Sequence, residues 1–281
     1  MAFQNIAVTP LTPHIGAEIG GVDLSRQLGN QQFQEVHDAL IAHQVIFFRD
    51  QQLSIEQHKE FAGRFGKLHV HPAAPKIYPD HPEILVIKAD EKSKHVAGEE
   101  WHSDVSFEAE PPLGSVLYLT EVPPLGGDTL FASGYSVYDA LSVPMQRLLE
   151  GLTAIHDGNH VFAGAYGKAR YGRAHDGPPL AASSHPVIRT HPVSGRKAVF
   201  VNRGFTTGIV GLSKAESAAL LEMLYRLFEV PEYQCRFRWR ANSVAFWDNR
   251  CAQHHAMFDY FPQRRFGHRV TICGDKPFYR G

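Results

Sequence analysis

Apolar residues recur at helical spacing in two early stretches. In NQQFQEVHDALIAHQ, Phe33, Val36, Leu40 and Ile41 share one helix face, and VIFFRD follows directly as a buried strand. SIEQHKEFAGRFG reads as a second helix, with Ser54 as N-cap, Gln57 completing a capping box and Gly66 as a stop. The opening IAVTPLTPHIGAEIGGVDLS, broken by Pro and Gly, predicts short strands. From about residue 83 the apolar runs shorten and become β-rich: EILVIKA, GSVLYLTEV, DTLFAS. SVYDALSVPMQRLLEGL predicts a helix, after which HPVIRTH, KAVFVN, QCRFRWR, SVAFWD and RVTICG again read as strands. One strong helix interrupts them, SKAESAALLEMLYRLFE, opened by the capping box of Ser213 and Glu216. Between 158 and 184 a Gly-, Ala- and Ser-rich stretch has little periodicity and predicts a mobile lid.

Many short strands with a few helices at the edges predict a mainly β fold with flanking helices, a β-sandwich or jelly roll. No repeat, low-complexity tract or linker divides the chain, so residues 1–281 are expected to form a single domain. Composition adds little: 43% hydrophobic and 20% charged residues fit a globular protein. The formal net charge of −1 gives no long-range field for nucleic acid or an anionic membrane, so neither is an expected partner. The N-terminus has no basic and apolar regions of a signal peptide, and no run approaches the roughly 18 apolar residues of a membrane span. Three cysteines at wide spacing fit neither a disulfide framework nor a zinc ribbon, and a reducing cytoplasm is expected.

Histidine changes the picture, with 17 copies. In EEWHSDVSF, His102 and Asp104 are two apart, so one strand end can aim an imidazole and a carboxylate at one point. A third ligand, His254, lies in WDNRCAQHH. Two histidines and one carboxylate on one face of a metal leave three positions open, the arrangement of non-haem Fe(II) oxygenases. Taken alone, H-x-D also fits a histidine hydrogen-bonded to a nearby aspartate. Arg265, beyond His254, raises the metal reading, because a guanidinium fork matches the far carboxylate of a dicarboxylic co-substrate. The hydroxyl of Thr129 in GGDTLF is a second donor for it.

These residues sit in segments that closely resemble the taurine dioxygenase/2,4-D dioxygenase family of Fe(II)/2-oxoglutarate enzymes. The resemblance covers nearly the whole chain and includes GAEIGGVDLS, HQVIFFRDQ, RFGKLHVHP, WHSDVSF, PPLGGDTLF, HPVIRTHPVSGRKAVFVNRGFTT, FRWRANSVAFWDNRCAQHH and RVTICGDKPFYR, with the taurine branch as the nearest. It implies a double-stranded β-helix, or jelly roll, with surrounding helices. It implies that His102, Asp104 and His254 bind iron and that Thr129 and Arg265 hold 2-oxoglutarate, with O2 as the other co-substrate. His255 is not expected to be a ligand, since it points to the other face of its strand. The resemblance also places a substrate anion against His71 and Arg269, with Phe162 and Phe205 lining the pocket, and implies a homo-oligomer, dimer or tetramer.

Two positions depart from the taurine pattern: Ala74 replaces a tyrosine, and Gly98 replaces an asparagine that contacts substrate. Losing two polar groups enlarges the pocket and removes contacts on which discrimination rests. The implied activity is hydroxylation of the carbon next to the heteroatom of a small organic anion, foremost a taurine-like sulfonate, releasing sulfite with succinate and CO2. Oxidative cleavage of an aryloxyalkanoate or an alkyl sulfate ester is the alternative, and HVAGEEWHSD resembles the aryloxypropionate branch. A non-catalytic jelly-roll binding protein is the rival of a different class; it would be favoured by a missing ligand, and none is missing.

Overall fold

A computed structural model of the chain describes residues 3–163 and 177–281. The largest sheet runs from β1 (Ala7–Pro10) through β2 (Ala17–Gly20), β3 (Val45–Phe48), β14 (Ser243–Asp248), β6 (Gly114–Glu121) and β16 (Arg265–Ile272) to β4 (Leu68–His69), and β5 (Ile84–Ala89) also pairs with β16. All of its pairs are antiparallel except β2 with β3. A second sheet orders β13 (Gln234–Phe237), β7 (Thr129–Ser133) and β15 (Ala252–Ala256). A third orders β12 (Thr206–Ile209), β8 (Thr153–Asp157) and β9 (Ala182–Pro186), and β10 (Ile188–Thr190) pairs with β11 (Lys197–Val199).

The central strands read as continuous apolar runs because both of their faces are buried. Ile46, Phe48, Val244, Phe246, Val116 and Val270 point to one side, where they meet Leu40 of α1 (Asn30–His43) and Phe61 of α2 (Ile55–Gly63). Val45, Phe47, Ala245, Trp247, Leu117 and Leu119 point to the other side, against Phe131, Phe237 and Trp239 around the second sheet. Phe47 and Phe237 stack across this gap, 3.9 Å between ring centroids. Ala132, next to Phe131 on β7, faces outward with Val137 and Leu141 of the segment around α3 (Gly134–Asp139) and Leu224 and Phe228 of α6 (Lys214–Phe228). The layers are therefore helices, large sheet, small sheet and helices.

The expected double-stranded β-helix is corrected by the strand pairing: among the described residues no sheet closes on itself. The large sheet ends at free edges on β1 and β4, and the second sheet stops at β13 and β15. Residues 90–113 run between them as turns and irregular chain, with Pro111 and Pro112 lacking N–H groups. They contribute a single bridge, His102 opposite His254, where a closed barrel needs a ladder. An alternating apolar pattern specifies which faces are covered and does not specify closure.

The single helix expected over SVYDALSVPMQRLLEGL is two, α3 and α4 (Val143–Leu149). Ser142 restarts the chain as N-cap, and Pro144 sits in the first turn, where its missing N–H does no harm. Both capping boxes form as expected, Ser54 with Gln57 and Ser213 with Glu216. Of the expected lid, 158–184, the ends contain α5 (Gly158–Phe162) and β9, and residues 164–176 lie outside the described residues. No described helix is long and apolar enough to cross a membrane.

Candidate active site

The inner face of β16 carries polar side chains along its length. Arg265, Gly267, Arg269 and Thr271 alternate on it, facing the small sheet. Register places Thr271 opposite Ser115 and Arg269 opposite Leu117 on β6. From the facing sheet, β7 supplies Thr129 and β15 supplies His254. A cavity of about 270 Å³ opens between them, and every residue singled out from the sequence lines it.

His102 and His254 are joined through their backbones, by N–H···O=C bonds of 3.2 and 2.9 Å. Their rings lie 4.1 Å apart. Asp104 Oδ1 is 3.6 Å from His102 Nε2 and 3.9 Å from His254 Nε2. The three donor atoms lie within 4.8 Å of one another, close enough for one ion to touch all three. His102 Nδ1 is 2.7 Å from the Glu100 carbonyl; donating there leaves the Nε2 lone pair for a metal. Burial, then the neighbouring His102, drives His254 well below the ordinary histidine range, so its ring is neutral as a ligand must be. Burial pushes the Asp104 carboxyl up, but the Arg269 guanidinium outweighs it and holds Asp104 well below the usual carboxylate range. The donor set thus fits a divalent iron: two imidazole nitrogens and an ionised carboxylate. After Asp104 the chain turns sharply, with Val105 buried at φ 50, a conformation a β-branched residue rarely adopts.

Arg265 is 5% exposed, and among the described residues it has no carboxylate within ion-pair distance. Its guanidinium lies 5.6 Å from the centroid of the Trp239 ring, its Nε lacks a hydrogen-bond partner, and burial lowers its pKa. A buried cation with no carboxylate in direct contact among the described residues is a cradle for one. Trp239 Nε1 donates to Thr129 Oγ1 at 2.9 Å, which leaves the Thr129 proton free to donate to the same ligand.

His71 Nδ1 accepts from the Ala73 N–H at 3.1 Å, and burial with the Arg269 charge pushes its pKa down to about 3. It is a neutral donor rather than an imidazolium. Its ring meets Phe162 at 5.6 Å, and Phe162, Phe205 and Phe107 form an aromatic corner. Arg269 makes a contact the sequence did not suggest: its Nη1 lies 2.6 Å from Asp104 Oδ1, while its Nε has no partner. His255 stacks on Trp101 at 5.5 Å, away from the cavity. Gly98 has φ +91, and a Cβ there would stand 3.2 Å from His102 Cε1, so backbone as well as space favours glycine.

Sequence reasoning missed Ser115, Asn249 and Trp239. Ser115 was legible only as one polar residue on the inward face of an apolar strand. A second group of close donors, His191, Asp248 and Cys251, is already occupied. Asp248 accepts from Arg250 through both oxygens and lies 3.0 Å from His191 Nε2, and His191 Nδ1 takes the N–H groups of Val193 and Ser194.

The profile of the family described as taurine catabolism dioxygenase TauD, TfdA matches residues 7–271. The alpha-ketoglutarate-dependent sulfate ester dioxygenase of Pseudomonas putida is 35% identical over 276 residues, covering 96% of this chain and 90% of its own. The alpha-ketoglutarate-dependent sulfonate dioxygenase of Saccharomyces cerevisiae is 34% identical over 288 residues, covering 97% and 68%. The crystal structure of a taurine dioxygenase from Burkholderia xenovorans superposes with a TM-score of 0.84 at 35% identity, covering 98% of this chain and 93% of that one. The chain belongs to the TauD, TfdA dioxygenase family and is a 2-oxoglutarate-dependent dioxygenase.

Proposed function

We propose that the protein hydroxylates the carbon next to the heteroatom of an organic sulfonate, which then breaks down to release sulfite, with succinate and CO2 as co-products. The observation that carries this reading is one cavity holding the His102, Asp104 and His254 donors, the uncompensated Arg265 and, beside Asp104, the second guanidinium of Arg269. Iron(II) held by the three donors, with 2-oxoglutarate and O2, supplies the oxidising chemistry.

The protein's part is placement. Arg265 and Thr129 take the far carboxylate of 2-oxoglutarate and so set its keto-acid end toward the triad. Arg269 presents its free Nε, and His71 an N–H from its second ring nitrogen, to the substrate anion. Phe162 and Phe205 cover the substrate carbon and exclude water.

A sulfate ester with a hydrocarbon chain is the second reading, favoured by the apolar wall of Ala73, Ala74, Leu85 and Ile87 on the same cavity. The relative from Pseudomonas putida carries that activity in its name. The test is turnover of purified protein with Fe(II), ascorbate and 2-oxoglutarate against taurine, alkylsulfonates, alkyl sulfates and aryloxyalkanoates. Succinate and sulfite should rise together with a sulfonate, and Asp104→Ala should abolish both. Sulfate or phenol release without sulfite would move the assignment to the ester or aryloxy class. Succinate at the substrate-free background throughout would overturn both readings.

A further inference from the structure

Behind Asp104 lies a chain of hydrogen bonds whose polarity is fixed at every step. Asn249 Oδ1 receives two N–H donors, the Asp104 backbone at 3.2 Å and Trp247 Nε1 at 2.9 Å. That orients the amide, so Nδ2 is the atom turned to Ser115 Oγ, at 3.4 Å. Thr271 Oγ1 also lies on Ser115 Oγ, at 3.1 Å. A serine hydroxyl has two acceptor sites and one proton. The ionised Asp104 carboxylate can only accept, so the Ser115 proton goes to its Oδ2 at 2.8 Å, and Asn249 and Thr271 are left to fill the acceptor sites. All five residues are buried, and Ser115 has no exposure at all. The other carboxylate oxygen, Oδ1, faces both imidazoles and also meets Arg269.

We propose that Ser115, held by Thr271 and Asn249, is a positioning residue that makes Asp104 a one-oxygen ligand. Turning the carboxylate to grip a metal through both oxygens would break the Ser115 bond and strand a buried hydroxyl. With Oδ2 retained, the protein occupies three coordination positions and keeps the rest for co-substrate and O2. The same network reaches the third ligand, because Trp247, which fixes the Asn249 amide, packs on the His254 ring at 4.6 Å. The proposal rests on His102, Asp104 and His254 being the metal ligands.

The test titrates metal-free protein with Co(II) and Mn(II), anaerobically and without substrate, and compares Ser115→Ala, Ser115→Thr and Thr271→Val with the parent. Ser115→Ala is expected to bind Mn(II) about 10–100-fold more weakly, the usual effect of losing an outer-shell partner. Its Co(II) visible spectrum should change, because a two-oxygen grip takes a coordination position that the parent leaves to solvent. Ser115→Thr keeps the hydroxyl and should restore both properties. Thr271→Val removes a donor that holds the Ser115 oxygen in place, so it should shift the spectrum in the same direction by less, and it decides the matter if Ser115→Ala does not fold. A purely structural serine would lower the melting temperature of the metal-free protein and leave the Co(II) spectrum unchanged in both variants. That result overturns the proposal. Parent protein that binds no Co(II) would instead overturn the ligand assignment, and this proposal with it.

Discussion

Arg265 carries a full charge into a buried site whose neighbours are an aromatic face and a cavity. Burial of that charge costs free energy, which a carboxylate bound against it would offset. Arg265→Gln should therefore raise the KM for 2-oxoglutarate by about 10–100-fold, the equivalent of a charge-assisted bond of about 1.5–3 kcal/mol. The melting temperature of the ligand-free variant should not fall. Steady-state kinetics and a thermal scan check both, and an unchanged KM would remove Arg265 from the co-substrate site. At this scale the sequence was legible where a residue has few alternative uses, as with His102, Asp104 and His254, which the fold brings within reach of one ion. It was not legible for Ser115, since a serine within an apolar strand looks the same whether it is tolerated or bonded. Nor did it show that Arg269 would meet Asp104, because pairing depends on register between β16 and the turn after His102.

Helix α2 is tied to the large sheet by one polar contact in an apolar interface: His58 Nε2 lies 3.0 Å from the Val116 carbonyl of β6. Burial pushes the His58 pKa down to about 4, and its Nδ1 has no partner. Below the ordinary value of about 6.5 the unfolded chain takes up a proton that the folded ring refuses until about pH 4. Stability is thus lost as the pH falls from 6.5 to 4, and this contribution levels off below. His58→Gln keeps a donor for Val116 and removes the titration, so between pH 7 and 5 it should lose about 2 kcal/mol less than the parent. Urea unfolding at the two pH values measures this; parallel losses would contradict it. Individual elements were legible because their signals are local. The Ser54 and Ser213 capping boxes mark helix starts, and the runs VIFF and SVAFWD mark strands covered on both faces. The assembly of strands into open sheets was not, because closure depends on whether residues 90–113 can offer a ladder.

In the whole molecule, the three candidate metal donors and Arg265 share one cavity between two sheets, so a ligand held there binds the folded chain alone. Mn(II) with 2-oxoglutarate, each at about 100-fold its Kd, should each add about 2.7 kcal/mol, a rise of roughly 5–10 °C in melting temperature per ligand. Scanning fluorimetry with each ligand and with both gives the answer, and an equal rise in Asp104→Ala would place the binding elsewhere. The backbone bridge between His102 and His254 bears on how such an ion is gained. A clip between residues far apart in sequence ordinarily requires closing the long loop between them, at an entropic expense that grows with its length. Here two main-chain hydrogen bonds have already closed it. An arriving ion meets two ligands whose separation was set by folding, and its binding free energy goes into affinity instead of into gathering the chain.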